Sequence, residues 1–363
     1  MNKNKNPLCF IRNKRFLVFT IIGTLIISSV LFVYLYADQF SFLSKEIIVK
    51  SKSSAIVNPS IIPILISKKM LFVGDIMMAR GVAQLTNKYG LEYPFLNIKP
   101  LFYIFNWDII YGNLEGPVRA EAKPVSLFSV RFDYSPEIPQ LLAKLGFNLL
   151  SIANNHMADQ EYSAIDSTRK YLEENHIFSL GDYSDCSLKY SYQKDNFIFL
   201  GANLIYKSKY CVQDLIQGIK ELKTKDANLY VIVTPHWGTE YTPYPDDFQK
   251  QTAHQLIEAG ADLIVGHHPH VVQGIEEYQN KLIFYSLGNF VFDMYFSQPV
   301  QQELALGFDW QPTQKTFYLF PLQSSKSQLS FMTTEEQTKF FDFLAQISTP
   351  SLTDQIRKGM IEK

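Results

Sequence analysis

At 363 residues the chain can form one large domain or two small ones, because single cores stop growing at roughly 250–300 residues, and 47% hydrophobic residues with 28 Phe and 21 Tyr exclude wholesale disorder. A formal net charge of -1, from 34 basic and 35 acidic residues, leaves no global field to draw in an acidic polymer or nucleic acid. Nucleic acid is not expected as a partner, and any anionic ligand has to be recognised locally.

Residues 1–15 carry Lys3, Lys5, Arg12, Lys14 and Arg15, and the run from Phe16 to Tyr36 has no charge. About 20 apolar residues cross a bilayer, whereas the apolar part of a cleaved signal is about 7–15 residues with a small-residue cleavage site behind it. The exit here, Tyr34-Leu35-Tyr36-Ala37-Asp38, is a poor cleavage site. Residues 16–36 are therefore predicted to be a retained transmembrane helix. The basic flank stays in the cytoplasm, which makes this a single-pass cell-membrane protein with its main domain extracellular. Residues 37–69 shift to Ser, Lys and scattered Ile with Pro59 and Pro63 and read as a stalk.

Beyond the stalk, short apolar runs at Met70–Val73, Ile109–Tyr111, Leu149–Ile152, Phe197–Gly201, Leu229–Val233, Leu263–Val265 and Leu282–Ser286 read as buried strands. Helical patterns at Ser135–Leu145, Glu161–Asn175, Val212–Lys223 and Asp246–Ala259 alternate with them. The alternation predicts an α/β sandwich over 70–325 with a largely buried sheet. Cys9 falls on the cytoplasmic side of the anchor; Cys186 and Cys211 share the outer compartment, free to pair or to stay as small buried thiols. The tail, 326–363, holds Thr333-Thr334-Glu335-Glu336 and the spacing Phe340, Phe341, Phe343, Leu344, Ile347, the pattern of a capped amphipathic helix.

Polar motifs follow the strands. Gly74-Asp75, Gly112-Asn113-Leu114-Glu115, Ala153-Asn154-Asn155-His156, Pro235-His236-Trp237-Gly238 and Gly266-His267-His268-Pro269-His270 gather five of the seven histidines. Asp, Glu, Asn and imidazole together suit a divalent ion of the Mn²⁺, Fe²⁺ or Zn²⁺ class. Taken singly, each residue has a plainer reading: a helix cap for Asp75, turn residues for Asn113 and Asn155, a loop acid for Glu115, a core imidazole for His236. Together, with Pro269 fixing the backbone between His268 and His270, they point to a metal site.

The ordered series GDIMMAR, GNLEGPV, ANNHMAD, PHWGTEY, GHHPHVVQG and YSLGNFVFD, over about residues 70–295, resembles the CapA branch of the calcineurin-like metallophosphoesterase superfamily. The resemblance implies a four-layer α/β/β/α sandwich with two divalent ions at the strand ends. It implies Asp75, Asn113, Glu115, Asn155, His236, His268 and His270 as ligands, the last two serving one ion each, and His156 as the residue that contacts or protonates the leaving group. Met77 stands where the superfamily has a histidine, and Asn113 where it has a bridging aspartate, so Glu115 becomes the expected anionic ligand there. Arg80, Trp237, Tyr241 and Asn289 are expected to bind substrate or line its pocket, with packing, a salt bridge or a turn as their plainer readings. Two functions follow. One is a hydrolase acting on a phosphoester or an anionic envelope polymer; the other is a non-catalytic subunit of a membrane complex that synthesises and exports a capsule polymer such as poly-γ-glutamate.

Overall fold

Successive strand residues face opposite sides of a sheet, and along the first strand both sides are apolar: Met70 and Phe72 enter one buried cluster, Leu71 and Val73 another. A strand covered on both faces needs a continuous apolar run, which is how these strands read in the sequence. The computed structural model describes residues 67–363. The elements in chain order are β1 (Lys68–Ile76), α1 (Arg80–Tyr89), β2 (Ile109–Leu114), α2 (Glu137–Lys144), β3 (Leu149–Ser151), α3 (Ser163–Glu174), β4 (Phe178–Leu180), β5 (Tyr192–Lys194) and β6 (Phe197–Asn203). There follow α4 (Lys209–Lys225), β7 (Tyr230–His236), α5 (Asp247–Ala259), β8 (Leu263–Val265), β9 (Ile275–Tyr278), β10 (Lys281–Phe284), β11 (Asn289–Val291), β12 (Gln302–Trp310), β13 (Lys315–Ser325), β14 (Gln328–Phe331), α6 (Thr334–Gln346), α7 (Thr353–Arg357) and β15 (Met360–Glu362).

These strands build a mixed α/β protein with two sheets. The first runs β14-β13-β12-β1-β2-β3-β4, with β11 beside β1 and β15 beside β13; the second runs β5-β6-β7-β8-β10-β9. Around the future site the pairings are parallel: β1 with β2, β2 with β3, β6 with β7, β7 with β8. Parallel neighbours end on the same side, so the loops that follow β1, β2 and β3 open together, as do those that follow β7 and β8.

Three apolar clusters hold the layers. One joins Leu71, Ile110 and Leu150 to Val82, Leu141 and Ile165 of α1, α2 and α3. The second lies between the sheets, with Phe72, Tyr111 and Phe308 against Phe199, Ile232 and Phe284. The third joins Ile198, Val231 and Ile264 to Leu215, Ile219 and Leu256 of α4 and α5. Burying each large apolar side chain contributes about 1.5–3 kcal/mol, so the middle cluster is the main bond between the sheets.

Cys186 and Cys211 form a disulfide, Cα atoms 5.2 Å apart. The bond pins the loop before β5 to the first turn of α4, and closing a separation of 25 residues stabilises the fold by roughly 3 kcal/mol. The tail does more than the expected helix. α6 begins with a capping box of Thr333 and Glu336, but β14 and β15 both add to β13, so 326–363 completes the first sheet. The expected basic end, membrane anchor and nearly all of the stalk lie outside the described residues; among the described residues no helix is long and apolar enough to cross a membrane.

Glu303 on β12 is buried, and neither carboxylate oxygen has a hydrogen-bond partner. Burial alone raises its pKa well above 4.5. Between the unfolded pKa and this raised folded one the unfolded chain holds fewer protons, so stability is full below about pH 4.5 and falls as pH rises. Glu303→Gln removes that titration. Its stability relative to wild type is expected to increase steadily from pH 4 to pH 8 in chemical denaturation; a difference independent of pH would show that Glu303 is not held protonated.

Candidate metal centre

Glycines let two backbones meet at the site. A Cβ at Gly74 would lie 2.0 Å from the Gly288 carbonyl oxygen, which accepts the Asp75 N–H at 3.1 Å. A Cβ at Gly266 would lie 2.1 Å from the Tyr285 carbonyl oxygen. The first approach places Asp75 in register with Asn113 on one side and Asn289 on the other. The second lets β8 run into residues 267–270, where His267 bridges to His236 at the end of β7.

Asp75 is the hub of a buried polar cluster. Its Oδ1 accepts the Asn113 amide at 2.8 Å and faces His267 Nδ1 at 3.3 Å; its Oδ2 accepts the His268 backbone N–H at 3.2 Å and faces His270 Nδ1 at 3.6 Å. Glu115 lies beside it, fully buried, with Oε1 3.7 Å from both His156 Nε2 and His270 Nε2. His236 Nε2 meets Asn155 Oδ1 at 2.9 Å, and its Nδ1 lies 3.3 Å from the Asn113 amide nitrogen.

The two acids part electrostatically. Burial pushes Asp75 up, but the hydrogen bond and charge of His267, aided by His236 and His270, outweigh it and hold the carboxyl below the usual range. Glu115 is pushed well up by burial and by the Asp75 charge. Burial, with the neighbouring imidazoles, holds His236 well below 6.5 and His268 down to about 4, so both rings keep a free lone pair near neutral pH.

Glu115 Oε1 and His268 Nδ1 are buried without a hydrogen-bond partner. Groups left so cost about 1–3 kcal/mol each, more if charged, and a cation would satisfy acceptors of this kind. Two groups of side chains have ligand atoms mutually within 4.8 Å: Asp75, Glu115 and His236, and Glu240, His268 and His270. Carboxylate and imidazole are the donors of the Zn²⁺, Mn²⁺ and Fe²⁺ class. The residues fit a divalent metal.

His156 sits at the edge of this cluster. Its Nδ1 meets Asp159 Oδ2 at 2.9 Å, and Phe132 packs on its ring with centroids 4.3 Å apart. With Nδ1 engaged, Nε2 is the nitrogen that faces Glu115 and the centre. Asp159, three residues on, also accepts the Phe132 N–H at 2.7 Å, so one carboxylate fixes both the imidazole and the ring against it.

Several expected roles change. Asn113 does not present an oxygen: its Oδ1 accepts from Asn154 at 3.1 Å, and its amide N–H groups face Asp75 and His236. It orients these two side chains. Arg80 is no free anion fork, because its guanidinium ion-pairs with Asp293, donates to the Ser129 carbonyl at 3.1 Å and lies 5.0 Å and 5.5 Å from the Phe132 and Phe292 ring centres. Trp237 cannot touch substrate. It is fully buried in the third cluster, its Nε1–H donating to the Tyr285 carbonyl at 3.0 Å, because it follows His236 and so takes the opposite direction at the strand end. Asn289 is buried and holds His270 Nδ1 at 2.9 Å, which leaves His270 Nε2 towards Glu115. Tyr241 stays at the mouth, 46% exposed and stacked over His270 with centroids 6.1 Å apart. His268 and His270 share a ligand group with Glu240, and His270 also lies 3.6 Å from Asp75 and 3.7 Å from Glu115. Met77, in place of an imidazole, is buried in the first apolar cluster.

The sequence reading passed over three residues: His267, Asp159 and Glu240. His267 was visible as the first of three histidines in four residues, and Asp159 as an acid three positions after His156. Glu240 lies in the motif PHWGTEY, four residues after His236, but only the fold brings it to His268 and His270.

A family model described as bacterial capsule synthesis protein PGA_cap matches residues 69–192 and 202–294, more than half of the chain and every residue of the centre. The chain belongs to this family. It is 34% identical over 248 residues to the capsule biosynthesis protein CapA of Bacillus anthracis, covering 62% of this chain and 59% of that one. It is 35% identical over 241 residues to the PGA biosynthesis protein CapA of Bacillus subtilis (strain 168), covering 61% of this chain and 62% of the relative. The chain thus matches about three fifths of the length of these relatives. Among solved structures, the purple acid phosphatase PPD1 of yellow lupin aligns at 10% identity and a TM-score of 0.34, over 74% of this chain and 53% of that one, a likeness on which nothing below rests.

Proposed function

We propose that this PGA_cap family member is a metal-dependent phosphoesterase-type hydrolase working in capsule or poly-γ-glutamate biosynthesis or export. The observation that carries the reading is the fully buried, unpartnered Glu115 Oε1 set among Asp75, His156, His236 and His270 at the ends of parallel strands. The three apolar clusters, helix to sheet, sheet to sheet and sheet to helix, support a four-layer α/β/β/α metallophosphoesterase-like order. The relatives' names support the capsule context.

Divalent ions held there would supply hydroxide near neutral pH and neutralise charge on a phosphoryl group. The chain's own residues do the rest. Asp75, Glu115, Asn155, His236, His268 and His270 would hold the cations; Asn113 orients Asp75 and His236, and Asn289 orients His270. Asp159 holds the His156 ring so that a proton on Nε2 can pass to the leaving oxygen. An open polar groove lined by Arg119, Arg131, Asn155, Asp159, Glu161 and Tyr183 borders the centre; Arg119 is held by Asp133, which leaves Arg131 as the cation on its wall for an anionic polymer or phosphoester.

The test is an aryl phosphate assay on the full-length chain after chelation and return of Mn²⁺ or Zn²⁺. Turnover should vanish with the metal and come back with it. Undetectable turnover in metal-replete protein across varied phosphoesters would favour the second reading, an accessory subunit binding polymer beside membrane synthesis and export partners. That reading draws support from Met77 and Asn113, which depart from the expected ligand set.

We also place the chain at the cell membrane, anchored by residues 16–36 with the folded part outside. The Cys186–Cys211 disulfide supports an oxidising compartment. Protease added to intact cells is expected to remove the folded part; its full protection would overturn the orientation.

A further inference from the structure

Glu240 and Tyr241 lie in the loop after β7, and that loop is tied to the β8 loop where the histidines project. The Tyr241 N–H donates to the Pro269 carbonyl at 2.8 Å, so Glu240 is one residue from a main-chain link to the residue between His268 and His270. Tyr241, His268 and His270 all have left-handed backbones, with φ of 64°, 97° and 57°. Each such residue costs of order 1–3 kcal/mol and persists where the surroundings over-determine it, commonly at functional sites.

We propose that Glu240, His268 and His270 form a divalent-cation group of their own, with Glu240 as its anionic ligand. This rests on the metal-dependent reading above and adds to it a residue that the expected ligand set does not assign. The ligand atoms lie within 4.8 Å of one another; around one tetrahedral ion with bonds near 2.1 Å they would be about 3.4 Å apart. Binding would bring the three ligand atoms closer by that margin. His268 offers a buried Nδ1 without a partner. Among the described residues no lysine or arginine pairs with Glu240. Two imidazoles and one carboxylate form a donor set that binds Zn²⁺ with a coordination position left open. Glu240 is exposed while both histidines are buried, so a cation would have an entry path from solvent past Glu240.

The experiment is metal titration of the chelator-stripped full-length chain with Mn²⁺ and with Zn²⁺, read as stoichiometry and affinity by dialysis and elemental analysis. Wild type should bind two ions. Glu240→Gln should keep one and bind the other at least about tenfold more weakly, since even outer-shell partners of a metal are worth 10–100-fold. Its metal-free melting temperature should equal wild type's, because the side chain is exposed. Unchanged stoichiometry and affinity in Glu240→Gln, whether wild type takes one ion or two, would overturn the assignment and leave the metal-dependent reading standing. A wild-type chain that takes no ion overturns both.

Discussion

Replacing His156 by alanine is expected to lower phosphoester turnover by roughly 10²–10⁴-fold, the contribution of a positioned acid or base, while bound metal stays at the wild-type level. The separation follows from geometry. His156 Nε2 approaches Glu115 Oε1 at 3.7 Å but belongs to neither ligand group, and its Nδ1 is committed to Asp159 at 2.9 Å. Esters with very acidic leaving groups should recover much of the loss, because such groups depart without a proton. Asp159→Asn should fall between the two, since it spares the ring but weakens its orientation. A His156→Ala enzyme with normal turnover on poor leaving groups would remove this residue from the mechanism; loss of its metal would make it a ligand instead.

Asp75→Ala is expected to lose most metal from both groups. Asp75 belongs to the first group and also accepts the His268 backbone N–H at 3.2 Å and faces His270 Nδ1 at 3.6 Å, so it positions the second. Its removal should reach further than Glu240→Gln, which touches one group only. Asp75 lies within β1 and is fully buried, so this variant also strands the Asn113 amide and His268 N–H, at about 1–3 kcal/mol each. Asp75→Asn keeps the volume and separates charge from packing: it should lose metal with a smaller fall in stability. Full metal content in both variants would show that Asp75 ligates nothing.

Those two residues also show how much the sequence disclosed. Asp75, Asn155, His236, His268 and His270 each stand at or just beyond a strand end, and a parallel sheet brings such ends together whatever the details. Seven strand runs were legible because burial on both faces demands unbroken apolar stretches; β4, β5, β9 and β11 to β15 were not: β5 and most of β9 are only partly buried, and β13 carries Pro321 and a polar end at Ser324 and Ser325. Side-chain direction was the weakest inference. Trp237 and His236 are adjacent in sequence yet one packs under α4 and α5 and the other enters the centre. Arg80 looked like an anion fork because nothing in the sequence shows that Asp293, more than two hundred residues on, closes on it. Glu240 was beyond reach for the same reason: its partners are set by the Tyr241 to Pro269 link between two loops.

The most direct measurement of the central claim is anomalous scattering from crystals of the protein grown with Mn²⁺. Two peaks are expected, one bounded by Asp75, Glu115 and His236 and the other by Glu240, His268 and His270. Ordered side chains at these six positions with no anomalous peak among them, at saturating Mn²⁺, would contradict the account.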